Sequence, residues 1–174
     1  LKIKFGIETH LNNLNLQIAK RLYSAGLRYV EVGIESSSEE VLKDCKRFSI
    51  KKEKEMDLVK AIEKIGIKVK TMFIYGLPLD NYKSCIDTLN FSKRINATYS
   101  QFSIFTPYPG TPIYDTEYKN KILTKKFEDF TQWKLVFKHK NLSAENLKSL
   151  VKKSYKEYYL RLSWLLKYFK IYRL

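Results

Sequence analysis

Tyr29-Val30-Glu31-Val32-Gly33-Ile34-Glu35-Ser36-Ser37-Ser38-Glu39-Glu40-Val41-Leu42 changes its period half-way along, and that change decides the fold class. Val30, Val32 and Ile34 alternate with Glu31, Gly33 and Glu35, which is a strand with one apolar and one polar face. The serines and glutamates that follow have the composition of a helix start, with Ser37 and Glu40 at capping-box spacing. Upstream, Ile3, Phe5 and Ile7 oppose Lys4, Gly6 and Glu8 in the same way. A flat doubly wound sheet has helices on both faces and so needs both apolar. One apolar and one polar face fits a curved sheet, with helices outside and a concave inner surface lining a cavity.

Outward from that strand, four short apolar runs alternate with helical patterns, the signature of βα units and a parallel sheet. The first run, Ile3 to Glu8, precedes a helix with Leu14, Ile18 and Leu22, closed by Gly26 in a left-handed cap. The strand at Tyr29–Glu35 leads to a helix expected around Met56 to Ile65, ended by Gly66. Val69–Gly76 is the third strand, followed by the turn Leu77-Pro78-Leu79-Asp80 and a helix with Ile86 and Leu89. Tyr99–Phe105 is the fourth, and it runs into the ordered loop Thr106-Pro107-Tyr108-Pro109-Gly110-Thr111-Pro112. The stretch from Tyr114 to His139 reads as loop with short helices. Ser143 then caps a final helix with an apolar stripe of Leu147, Leu150, Val151, Tyr155, Tyr158 and Leu162, and Leu142 and Leu147 at hydrophobic-staple spacing. The expected class is α/β, a partial (βα) TIM-like barrel with parallel strands, its last four units at 1–112 and a loop and helical extension at 113–174.

The chain has 174 residues and 44% hydrophobic content, which excludes disorder, and no apolar run reaches the length of about 18 residues that a membrane span needs. A formal charge of +15 invites a nucleic-acid reading, or that of a basic module for an anionic membrane surface. The basic residues are scattered, however, clustering only in pairs such as Lys51-Lys52 and Lys125-Lys126, as solvated helix faces require. Nucleic acid is therefore not the favoured partner. Cys45 and Cys85 stand far apart and form neither a disulfide framework nor a metal site, so no metal ligand is expected in this chain and a reducing cytoplasm is the expected location. The opening residues read as a strand already under way, and the expectation is a fragment cut inside a domain.

Parallel βα barrels place their sites at the C-terminal ends of the strands. Those ends carry Glu8-Thr9-His10, Glu35-Ser36-Ser37-Ser38, Gly76-Leu77-Pro78 and Thr106-Pro107-Tyr108. Glu8 and Glu35, at neighbouring strand ends, are suited to ribose hydroxyls or an ammonium group. His10 and Tyr108 are candidates to touch a substrate at the cavity mouth. His139, with no partner in reach along the sequence, is expected at the surface, and Trp133 and Trp164 as core or docking residues.

Four segments, in order, carry a family resemblance. Gly33-Ile34-Glu35-Ser36-Ser37-Ser38, with Arg47 behind it, resembles the fourth-strand segment of radical S-adenosylmethionine (SAM) enzymes. Phe73-Ile74-Tyr75-Gly76-Leu77-Pro78 resembles their fifth strand and turn. Gln101 to Pro112 resembles the sixth strand of the subgroup that carries a cobalamin-binding domain, and Asn141-Leu142-Ser143 through Arg161 is similar to that subgroup's C-terminal extension. The resemblance implies a six-unit partial barrel whose reduced 4Fe–4S cluster cleaves SAM to start radical chemistry: methyl transfer, cyclisation or rearrangement. It implies Glu35 and Ser36 near the ribose, Arg47 near the methionine carboxylate, and Gly76 near the adenine. It further implies cluster ligands and a cobalamin domain outside this chain, in the missing N-terminal half. A small-molecule or lipid-like substrate and a reductant such as flavodoxin or ferredoxin complete the picture. Ser37 stands where the family has Gly, Leu79-Asp80 where it has Gly-Glu, and Phe48 where Gly follows the Arg. The other readings are the basic module and a barrel remnant that has lost catalysis.

Overall fold

The structure, a computed structural model, describes residues 3–48 and 50–172. Its strands are β1 (Phe5–His10), β2 (Leu27–Glu35), β3 (Lys68–Tyr75) and β4 (Tyr99–Ile104). They form one wholly parallel sheet in the order β1-β2-β3-β4. The crossovers are α1 (Leu16–Ala25), then α2 (Glu39–Asp44) with α3 (Lys52–Ile65), then α4 (Tyr82–Ile95). Strands laid side by side in chain order make a barrel wall, whereas a doubly wound sheet reverses direction at a switch point.

The face alternation of the first two strands extends across the sheet. Val30, Val32, Val69, Thr71, Phe73 and Phe102 are buried beneath the helices. Glu31, Lys70, Met72 and Gln101 lie half-buried on the other face. There Glu8 is in register with Glu31 and Glu31 with Lys70, and the Lys70 Nζ stands 2.8 Å from the Glu31 carboxylate. Gly26 ends α1 at φ 119°, where a Cβ would lie 2.1 Å from the Ile3 carbonyl oxygen, so only glycine fits.

Three local expectations are corrected. Ser38, not Ser37, caps α2, its hydroxyl accepting from the Val41 N–H, because the Ser37 hydroxyl is taken by Thr88. α3 starts at Lys52, ahead of Met56, and α2 is a separate short helix. In α1 the buried face is Ala19 with Leu22 and Tyr23 packed beside it, so Ile18 turns outward, while Leu14 reaches the core from before the helix.

The extension packs on the same core as the sheet. After a π-helical turn at Tyr114–Tyr118 and an antiparallel bridge between Ile122 and Phe137, Ser143 and Asn146 cap α5 (Ala144–Tyr159) reciprocally. Leu147, Leu150 and Tyr158 of α5 are buried in the main cluster. α5 runs along the outer edge of β4 and closes it. The Tyr159 hydroxyl accepts from the Ser100 N–H at 2.8 Å and donates to the Ser100 carbonyl at 2.7 Å. The Tyr155 hydroxyl accepts from the Phe102 N–H, and the Ile104 N–H donates to the Gln132 carbonyl. The single final helix expected to run on through Leu162 is instead broken at Leu160 and Arg161, and Leu162 is exposed at the start of α6 (Leu162–Tyr172). α6 folds under the sheet, with Trp164 Nε1 donating to the Thr98 carbonyl and Lys167 ion-paired to Glu63 at 2.6 Å. Trp164 is thus a docking residue, whereas Trp133 is 55% exposed, touching Tyr155 only obliquely. Among the described residues no helix is long and apolar enough to cross a membrane.

Candidate cofactor site at the strand ends

β2 leaves the sheet through Glu35, which holds a left-handed φ of 64°, a conformation that costs a residue with a side chain about 1–2 kcal/mol. Its backbone tightens at once, with the Ser36 N–H donating to the Ile34 carbonyl at 2.8 Å. The carboxyl folds back over Gly33, where a Cβ would lie 2.7 Å from the Glu35 Oε1. Glycine at position 33 therefore makes the room in which the carboxylate rests. Arg47 reaches it from the other side at 3.5 Å, brought there by the left-handed turn at Lys46 after α2. Burial pushes the Glu35 carboxyl above the usual carboxylate range, Arg47 pulls it back, and Glu8 raises it further. The Arg47 side chain is half in solvent, so its pull is screened and burial prevails.

Glu8, Thr9, His10, Gly33, Glu35, Arg47 and Met72 together line a cavity of about 300 Å³ above the polar face of the sheet. His10 Nδ1 accepts from the Asn12 N–H at 3.2 Å. Burial lowers its pKa, with Arg47 and then Lys52 adding to the effect. Two carboxylates, one of them desolvated, beside a guanidinium form a site for a ligand with hydroxyl donors at one end and an anion at the other.

The remaining sequence-predicted residues lie elsewhere. Ser36 is buried behind the cavity wall, its hydroxyl accepting from the Ser38 N–H and paired with Thr88. Its carbonyl accepts from Lys52 Nζ at 3.0 Å, and Lys52 also pairs with the buried Glu55. Gly76, at φ 82°, packs against Leu147, which a Cβ would approach to 3.2 Å. Tyr108 is 46% exposed in its Pro-rich loop, outside the cavity lining.

The β3 turn is held by residues outside the set singled out in the sequence. Asp80 Oδ2 accepts from the Gly76 and Leu77 N–H groups, and Oδ1 accepts from the Ser84 hydroxyl at 2.6 Å. An Asp a few residues after a Gly-x-Pro turn bonding back to its amides is a readable signal. His139 gave none, and the expectation of a surface residue is wrong: it is 8% exposed. Its Nδ1 accepts from the Asn141 and Leu142 N–H groups, which leaves Nε2 as the donor to the Leu77 carbonyl at 3.0 Å. Thr88 is likewise invisible in sequence, yet it binds both Ser36 and Ser37 hydroxyls and the Ser37 N–H.

A parallel barrel wall with a charged cavity at its strand ends defines an enzyme scaffold of the βα-barrel class. Residues 1–92 match the model of the radical SAM superfamily, and the chain belongs to that family. It is 32% identical over 168 residues to an uncharacterised methyltransferase of Pyrococcus horikoshii, an alignment that takes in 96% of this chain and 36% of that protein. The chain thus spans about a third of that relative's length. Among solved structures it is similar to the radical SAM methyltransferase TsrM of Kitasatospora setae, solved with cobalamin and a 4Fe–4S cluster. There the TM-score is 0.58 at 20% identity, over 64% of this chain and 21% of that one. It is also similar to coproporphyrinogen III oxidase of Escherichia coli, a radical SAM enzyme, at a TM-score of 0.61 and 19% identity, over 90% of this chain and 32% of that one. At such identities these two likenesses speak for the fold.

The residues present fit the family's cofactors unequally. The cavity beside Glu35 offers acceptors and a cation of the kind SAM's ribose and carboxylate need. For the iron–sulfur cluster the described residues offer no group of three His, Cys, Asp or Glu side chains. Cys85 is buried, and the Cys45 thiol is pushed up to about 11 by burial and Asp44, the reverse of a ligand thiolate.

Proposed function

We propose that the chain is the SAM-binding side of a radical SAM enzyme whose cluster is held by residues outside it. The reaction class we infer is methyl transfer, with cobalamin as a further cofactor. The P. horikoshii relative's designation as a methyltransferase supports the first, and the cobalamin bound in TsrM supports the second. Bound SAM supplies the radical-initiating group. Glu35, with Glu8, accepts hydrogen bonds from the ribose hydroxyls, and Arg47 faces the methionine carboxylate. Ser36 and Gly76 act through backbone placement. His10 meets a small-molecule or lipid-like substrate at the cavity, and Tyr108, exposed in its loop outside the cavity lining, meets it only beyond the mouth. A reductant such as flavodoxin or ferredoxin and a cytoplasmic location complete the proposal. The observation that carries this reading is the desolvated, left-handed Glu35 facing the charged cavity. Strained, desolvated carboxylates concentrate at binding and catalytic sites. Glu35→Gln in the complete enzyme is expected to weaken SAM binding by about ten- to a hundredfold, the weight of a charge-assisted hydrogen bond. Calorimetric titration of both proteins measures it, and equal affinities remove Glu35 from the site.

A further inference from the structure

We propose that the outer face of α6 is a docking ridge for an anionic lipid surface, with the N-terminal end of the sheet turned toward the lipid. This inference is independent of the reaction assigned above. α6 lies across the end of the sheet opposite the cavity: Trp164 bonds the Thr98 carbonyl just before β4, and Lys167 pairs with Glu63 in the last turns of α3. That is its inward side. On the outward side Leu162, Leu166 and Phe169 fall at i, i+4 and i+7, and they are 71%, 61% and 48% exposed. A surface helix docked on a core ordinarily turns polar residues outward, and α5 does so. α6 instead exposes Leu162, Leu166 and Phe169, with Ser163 and Lys170 beside them. Leu160, 66% exposed at the turn before it, prolongs the ridge.

Charge identifies what the ridge meets. On the strand-end side α2, α3 and α5 begin with exposed Glu39 and Glu40, Glu53 and Glu145, with Lys52 and Lys54 interleaved at the start of α3. At the other end the last turns of α3, α4 and α5 carry Lys64, Lys93, which is paired with Glu157, and Lys156. Glu63 and Glu157 at this end are already neutralised, Glu63 by Lys167 and Glu157 by Lys93 and Lys153. No acidic residue follows Glu157, and Lys170 flanks the ridge. An apolar ridge framed by cations matches a lipid surface, which offers acyl chains and anionic headgroups together. A nucleic acid would use the cations and leave the leucines wet. A second copy would bring two cationic ends face to face.

Flotation of the full-length protein with vesicles of phosphatidylcholine alone, or mixed with phosphatidylglycerol, tests this. Binding is expected to the mixed vesicles and not to the neutral ones, weakening with salt. Leu166→Glu and Phe169→Glu should each lower vesicle binding by about tenfold or more, the loss of one buried large apolar side chain, at unchanged melting temperature. Wild-type protein that stays unbound to the mixed vesicles overturns the proposal. So does binding that Leu166→Glu leaves intact. A Leu166→Glu variant that unfolds at lower temperature, or that converts a dimer to a monomer in sedimentation, overturns it too, since protein then covers the ridge.

Discussion

β2 and β3 are neighbours in one sheet, and both leave it through a left-handed residue, but the two turns are built on opposite terms. At the end of β3 the residue is Gly76, which takes φ 82° without strain. Asp80 satisfies the amides around it, and His139 and Asn141 tie the turn to the extension. At the end of β2 the residue is Glu35, which is strained and desolvated. Its ion pair is half in solvent, and its nearest like charge is Glu8. One turn is a structural joint with every polar group matched. The other is held in an unfavourable state by its surroundings, and that separates a binding position from a joint.

Substitutions that sharpen the contrast differ in size. Asp80→Ala leaves two buried amides and the Ser84 hydroxyl without their acceptor, and should lower unfolding free energy by about 2–4 kcal/mol. Asp80→Asn should restore most of it, as read by urea denaturation. His139→Ala strands the Leu77 carbonyl and two N–H groups behind the same turn, an expected loss of about 1–3 kcal/mol. Glu35→Gly should run the other way, raising stability by about 1 kcal/mol as the left-handed strain is relieved, while SAM binding falls. A destabilised Glu35→Gly protein would show that no strain was stored there.

The smallest effect is one of pH. Burial raises the carboxyls of Glu35, Glu55 and Asp80, so the folded chain holds these protons more tightly than the unfolded one. Their contribution to stability is fullest below the ordinary carboxylate range and is lost as pH rises through it to the raised values. Glu157, lowered by Lys153 and Lys93, acts in the opposite sense. Glu35→Gln should therefore be at least as stable as the parent at pH 7, and the difference should vanish towards pH 4, where melting curves of the two should coincide.

The sheet was legible because strand alternation is local: six residues of β1 and nine of β2 reveal which face is polar. The left-handed cap at Gly26 and the Ser143 cap are local as well, and both formed as read. What stayed hidden depends on distant partners. Ser37 cannot cap α2 because Thr88 stands 51 positions away in the chain, and His139 is buried by a carbonyl 62 positions back. At the site, Glu8, His10 and Glu35 line one cavity from their strand ends, whereas Arg47 enters it from the turn after α2, a position only the family resemblance suggested. The room that Gly33 makes for the carboxylate follows only from a backbone conformation no pattern announces.

The tyrosines of α5 also fix a direction of growth. A parallel sheet enlarges by offering unpaired amides and carbonyls to a newcomer, and it risks adhesion wherever such a margin stays bare. At β4 that offer is withdrawn, because the hydroxyls of Tyr155 and Tyr159 occupy the groups a further strand would need. The sheet is one-ended: any strand that joins it has to arrive beside β1.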